Sequence, residues 1–138
     1  MENSLYFDEW TIKNIGDDED KFGTKTKCAS ITSHDGGIGT AVDLYPNDIA
    51  LLEKIFDCSA NDLKGKNITA VSKENTVYAI GYQGLYVPLY YRDGSSKILS
   101  ESQLCELLEC YNVIRKDRDG KQILSYEVPA KGTAIRGR

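Results

Sequence analysis

Along the pattern of apolar and polar positions, β-forming and aromatic residues are densest between residues 63 and 92 of this 138-residue chain. Three runs there, 67–72, 76–82 and 85–91, are rich in the β-branched and aromatic residues that suit a pleated surface. Only short turns separate them, at 73–75 and at Gln83-Gly84. Turns of that length join antiparallel neighbours, because a parallel crossover needs a dozen residues or more. The runs therefore predict a three-stranded meander. In the last run Tyr86, Pro88 and Tyr90 oppose Leu85, Val87, Leu89 and Tyr91. Pro88 has no N–H to give to a ladder, which predicts an edge strand or a bulge. On either side of the meander the apolar period changes. Ile49, Leu52, Ile55 and Phe56 form one helical stripe over 46–58, with Asn47 or Asp48 to cap it. Leu104, Leu107, Leu108 and Tyr111 form a second over 100–111, opened by a Ser100/Gln103 capping box.

The remaining segments carry weaker patterns. Leu5, Phe7, Trp10 and Ile12 are spaced by twos and threes, which predicts an edge strand or an irregular packing segment over 5–12. Residues 16–23, GDDEDKFG, read as a charged loop. Runs at 25–32 and 38–44 read as strands joined by the turn SHDGG. Residues 113–116 and 122–128 read as a hairpin around Asp117-Arg118-Asp119-Gly120. The small, basic stretch 130–138 reads as a mobile tail. Together these elements predict a single α+β domain over 1–138. Its core is a mainly antiparallel sheet of seven to eight strands with two helices on one face.

Composition narrows the function classes. A charged fraction of 28% and a hydrophobic fraction of 41% match a chain that builds a packed core. The apolar runs are too short for a membrane helix, and MENSLYFDEW lacks a basic, apolar leader, so a cytoplasmic location is expected. The net charge of −4 divides unevenly: residues 1–63 balance at −8 and residues 64–138 at +4. A duplex-DNA binder is normally basic overall, so that class is disfavoured. The asymmetry suits a basic face for a small anion, or an acidic face that docks on a basic protein.

Catalytic signatures are absent from the sequence. The chain has one histidine, His34, placed in a turn, and no Walker, Rossmann, zinc or kinase pattern. HDGGIG opens a strand where a phosphate loop would open a helix, so it reads as a hairpin turn, with ligand contact by His34 as the alternative. Asp17, Asp18, Glu19 and Asp20 lack the spacing of a calcium loop and read as a solvated turn or a protein-docking surface. Cys28, Cys58, Cys105 and Cys110 read as buried reduced thiols. On one helix, Cys105 and Cys110 would lie about 140° apart, which suits neither a disulfide nor a shared metal. No metal and no cofactor are expected. The strand tyrosines read first as rings packed beneath a helix or at its rim; the alternatives are a protein interface, or a ligand surface of Tyr82, Tyr86 and Tyr90 with Lys66 and Arg92 nearby in sequence, where aromatic rings stack on bases while Lys and Arg meet phosphates. The apolar edge at 85–91 predicts a homo-oligomer through the sheet.

The order of landmarks resembles a group of small uncharacterised phage and prophage proteins. Its marks here are the His34-to-Ile38 turn, the helix over 48–56, Leu63-Lys64-Gly65-Lys66, and Ala79-Ile80-Gly81. The turn has one extra residue, and the group's glycine-rich loop and later tryptophan do not follow Ala79-Ile80-Gly81. The resemblance implies a phage or mobile-element origin, and hence the host cytoplasm, and carries over no active-site residue. With the surface chemistry it gives the expected function: a non-catalytic binding protein that inhibits a host antiviral defence. It would act by sequestering a nucleotide signal, or by docking on an effector protein through Asp17–Asp20. A nucleotide-processing enzyme and a structural or virion accessory protein are the alternatives.

Overall fold

A computed structural model describes residues 4–33, 37–89, 97–117 and 120–128. His34, Tyr90, Arg92 and the 130–138 stretch lie outside the described residues. In chain order the elements are β1 (Ser4–Glu19), β2 (Lys25–Ser33), β3 (Gly39–Leu44), α1 (Pro46–Phe56), a 3-10 turn (Ala60–Leu63), β4 (Asn67–Lys73), β5 (Thr76–Tyr82), β6 (Leu85–Pro88), α2 (Glu101–Leu107), β7 (Asn112–Lys116) and β8 (Gln122–Glu127). The fold is α+β: a mainly antiparallel eight-stranded sheet carries two helices, each lying on one face. The main path runs β3-β2-β1-β4-β5-β6; β7 joins β1 in parallel, and β8 closes on β7. None of the described helices is long and apolar enough to cross a membrane.

The largest departure from expectation is β1. The segments expected as an edge strand over 5–12 and a charged loop over 16–23 are mostly one 16-residue strand at the middle of the sheet. Its acidic end is held as a strand because β2 sets bases opposite acids. Asp17 pairs with Lys27 at 2.6 Å and Glu19 with Lys25 at 2.5 Å, both in ladder register. Opposite charges across a ladder favour pairing where an apolar pattern is missing. The apolar spacing drifts from twos to threes because Leu5 and Phe7 serve one face and Trp10 and Ile12 the other, and a register shift between Ile12 and Asn14 then breaks the alternation again.

Pleating sorts the core. Phe7 stands opposite Val71, and Val71 opposite Ala79. Their neighbours form a separate row, Asp8 opposite Ala70 and Ala70 opposite Ile80. Successive side chains on a strand point to opposite sides, so the sheet stands between two hydrophobic clusters. α1 contributes Leu52 and Phe56 to the first, with Ile12, Ile31, Ala70, Ile80 and Val87. α2 contributes Leu104 and Cys105 to the second, with Leu5, Phe7, Val71, Ala79 and Tyr86. Tyr86 lies across Gly81 and meets the Phe7 ring edge-on at 5.4 Å. Both meander turns use left-handed backbone, at Glu74-Asn75 and at Gln83-Gly84, the geometry of tight antiparallel hairpins.

Caps set the helix limits. At α2, the Ser100 hydroxyl accepts from the Gln103 N–H, and the Gln103 side chain accepts from the Ser100 N–H at 2.9 Å, the reciprocal box read from the sequence. At α1, Pro46 starts the helix and Asp48 accepts from the Tyr45 N–H at 2.9 Å. α2 is shorter than its apolar stripe. It ends at Leu107, and Glu109 turns the chain at positive φ. Lys73 donates to the Leu108 carbonyl at 2.7 Å, placing a cation at the negative end of the helix. This early end corrects the expectation for the cysteines. Cys110 lies beyond the helix, its N–H reaches the Cys105 carbonyl at 3.0 Å, and the two thiols meet. The Cys105 S–H bonds to Cys110 and, with the charge of Lys73 nearby, draws the Cys110 pKa below its ordinary value, while that of Cys105 is raised.

Candidate functional site

The site grows from a change of partner along β1. On one side β1 pairs with β4 over residues 6–11. On the other it pairs with β7 over residues 4–7 and with β2 from Trp10 onward. Asp8 and Glu9 fall between those two partners. On the face that carries Tyr6, Asp8 and Trp10, the cross-strand residues Ser72 and Ala70 are small and leave the space above Asp8 unfilled. The result is a cleft of about 850 Å³. Its floor is Ser4, Tyr6, Asp8 and Trp10; β3 residues from Gly39 to Val42 form one wall, and the β4–β5 turn with Thr76 and Val77 forms another. Lys116, from β7, closes the corner with its ammonium 4.8 Å from the centre of the Tyr6 ring.

Asp8 is the unusual group here. Its Oδ1 is shielded from solvent and has no hydrogen-bond partner among the described residues. Burial pushes its carboxyl pKa above the ordinary value, and the charge of Lys116 pulls only partly against that. A raised folded pKa means that the native chain holds a proton where the unfolded chain has lost it. Stability then falls as pH rises from the ordinary value of 3.8 through the raised one, and stays lower above it. Asp8→Asn is therefore expected to melt higher than the parent at pH 7, with the gain vanishing near pH 3. Thermal unfolding across that range checks it; a lower melting temperature at pH 7 would show that the carboxylate is a net stabiliser.

Of the residues singled out from the sequence, those among the described residues do not converge on this cleft. Tyr82 is half-buried and stacks on Phe56, ring centres 4.4 Å apart. Tyr86 is 3% exposed and belongs to the second cluster. In the ladder Tyr82 opposes Leu85 while Tyr86 opposes Gly81, so the two rings leave the sheet on different sides. Lys66 is exposed in the turn before β4. The acidic run is tied into the fold: beyond the Asp17 and Glu19 ion pairs, Asp20 accepts from the Thr24 and Phe22 N–H groups and the Tyr45 hydroxyl. Lys27 holds the Asp17 pKa down, and the Thr24 N–H, with those other donors, does so for Asp20. Asp18 meets Cys28 and Asp43 at a surface where their ligand-type atoms lie within 4.8 Å of one another. Partial burial and then the two carboxylates raise the Cys28 pKa, which keeps that thiol protonated.

The signal that marks the cleft was present as Tyr6-x-Asp8-x-Trp10. Three residues at every second position share one face of a strand, and a carboxylate between two aromatics is an odd choice for a core. That reading was masked by the neighbouring row of Leu5 and Phe7, whose apolar residues belong to the other face. No family model, no curated protein and no solved structure matches the chain, so the phage resemblance rests on its own turn and strand-end residues.

Proposed function

We propose that this chain is a non-catalytic binding protein that holds a nucleotide-type small molecule in the cleft over β1. The observation that carries the reading is the cleft itself, about 850 Å³ with Trp10 and Tyr6 on its floor and Lys116 at its corner. That volume suits a small ligand. Flat aromatic faces accept a base by stacking, and a lysine at the rim supplies the charge for a phosphate. Among the described residues that line the cleft there is no histidine or cysteine, and the reading is of retention without turnover. In a phage-encoded chain such retention would remove a nucleotide signal from host defence. Docking on an effector through Asp17–Asp20 is the less favoured route, because Lys25, Lys27 and the Asp20 contacts already take up much of that charge.

Trp10 is the chain's one tryptophan, so its emission reports on the cleft. Titration with nucleoside monophosphates is expected to quench that emission and saturate. Lys116→Ala is expected to weaken the binding roughly tenfold to a hundredfold, the scale of a charge-assisted bond. Bound nucleotide released by heat should be recovered intact. Absence of quenching by any monophosphate at millimolar concentration would remove the nucleotide reading.

A further inference from the structure

We infer that Cys105 and Cys110 are a redox pair: a hydroperoxide oxidises Cys110, and Cys105 then closes a disulfide across the end of α2. The inference stands apart from the cleft and begins with the way α2 stops. The Cys110 N–H reaches back to the Cys105 carbonyl at 3.0 Å, and the Glu109 N–H reaches the Glu106 carbonyl at 3.2 Å. Glu109 itself adopts left-handed backbone, φ 52°. Two such reverse bonds around one left-handed residue make a Schellman cap. The cap folds the residue after the left-handed one back onto the last turn of the helix, where an apolar contact usually forms. Here both positions are cysteines, and the contact is a thiol–thiol hydrogen bond. Sulfurs already in contact need little backbone movement to join. α1 supplies an internal comparison. Cys58 reaches back to the Glu53 carbonyl at 3.2 Å past left-handed Asp57, but Glu53 offers no sulfur.

The order of the two thiols follows from their places in the cap. Cys105 is 0% exposed and sits on the buried face of the helix. Cys110 is 5% exposed and lies beyond the helix, between exposed Glu109 and Tyr111. The end of a seven-residue helix, turned by a residue other than glycine, belongs to the part of a fold that opens locally, and a hydroperoxide is little larger than water. Lys73 holds the Leu108 carbonyl at 2.7 Å, and its charge favours the thiolate at Cys110. That thiolate attacks one peroxide oxygen and the O–O bond breaks. The other oxygen leaves as hydroxide or alkoxide and takes up a proton, and Cys110 becomes a sulfenic acid. The Cys105 sulfur then attacks the Cys110 sulfur. The S–O bond breaks, and the Cys105 proton departs with the hydroxyl as water. Two electrons pass from the thiols to the peroxide.

The test treats the native full chain with hydrogen peroxide, alkylates the remaining thiols in denaturant, and maps the products by mass spectrometry. The segment carrying Cys105 and Cys110 should be lighter by two hydrogens and should escape alkylation, while Cys28 and Cys58 are alkylated. A reducing agent should restore both thiols. Cys105→Ser removes the second thiol, so a 1,3-diketone should trap Cys110 as its sulfenic acid. In Cys110→Ser, Cys105 should stay reduced. The inference is overturned if all four cysteines are alkylated after a peroxide dose that oxidises free cysteine. A disulfide that involves Cys28 or Cys58 overturns it as well, and so does oxidation of Cys105 in the Cys110→Ser variant. The map of the parent protein decides the matter even if neither variant folds.

Discussion

Gly81→Ala is expected to destabilise this protein by roughly 3 kcal/mol, at the upper end for overpacking a core. A Cβ at residue 81 would sit 2.1 Å from Cδ1 and 2.4 Å from Cε1 of Tyr86, and 2.9 Å from the Leu85 carbonyl oxygen. The ring has nowhere to go, because Phe7 meets it edge-on and its residue is 3% exposed. The carbonyl belongs to the neighbouring strand and moves only if the β5–β6 pairing moves. Urea unfolding gives the cost directly. A second observation makes it specific: in a Tyr86→Ala background, the added Gly81→Ala change should cost much less, since contacting residues couple. Additive effects would place the clash elsewhere.

Leu104→Ala is expected to cost about 2–5 kcal/mol, the range for a fully buried leucine cut to alanine. Leu104 is 0% exposed and is the main apolar anchor of a helix only seven residues long. Such a short helix has little intrinsic stability and is held by its packing. The loss should appear as a lower denaturation midpoint. Well below that midpoint the Trp10 emission maximum and the nucleotide titration should match the parent protein, because the sheet lies between α2 and the cleft. A shifted emission maximum in the folded variant would mean that the two clusters communicate.

What the sequence made legible follows from how local each signal is. The meander was readable because its strands, turns and alternation all lie within residues 67–89, and its turns need the left-handed backbone that Asn75 and Gly84 supply readily. The Ser100/Gln103 box was readable because both partners sit within one helical turn. β1 was not readable. Its acidic end becomes a strand only when Lys25 and Lys27 arrive opposite, and its apolar positions serve two faces across a register shift. Which face each helix covers depends on that same register. The cleft was hidden for a related reason: Asp8, Ser72, Gly39 and Lys116 come from four separate segments, and nothing in their local sequence marks them as neighbours. Tyr86 misled because a strand tyrosine looks the same in sequence whether it faces solvent or a glycine across a ladder.

The parallel pairing of β1 with β7 has a consequence for how the chain is made. Ser4 lies opposite Asn112, 108 residues later, and their side chains share a hydrogen bond of 3.0 Å. Closing so long a loop is slow, and it places this pairing among the non-local contacts that delay folding. During synthesis, which proceeds at about 5–20 residues per second, the leading residues of β1 emerge many seconds before their partner exists. Leu5 and Phe7 must wait through that interval without their β7 ladder partners, Val113 and Arg115. A ribosome-bound fragment that stops before β7 should therefore expose this first strand to chaperones and proteases, and protection should arrive abruptly once residue 116 has left the exit tunnel.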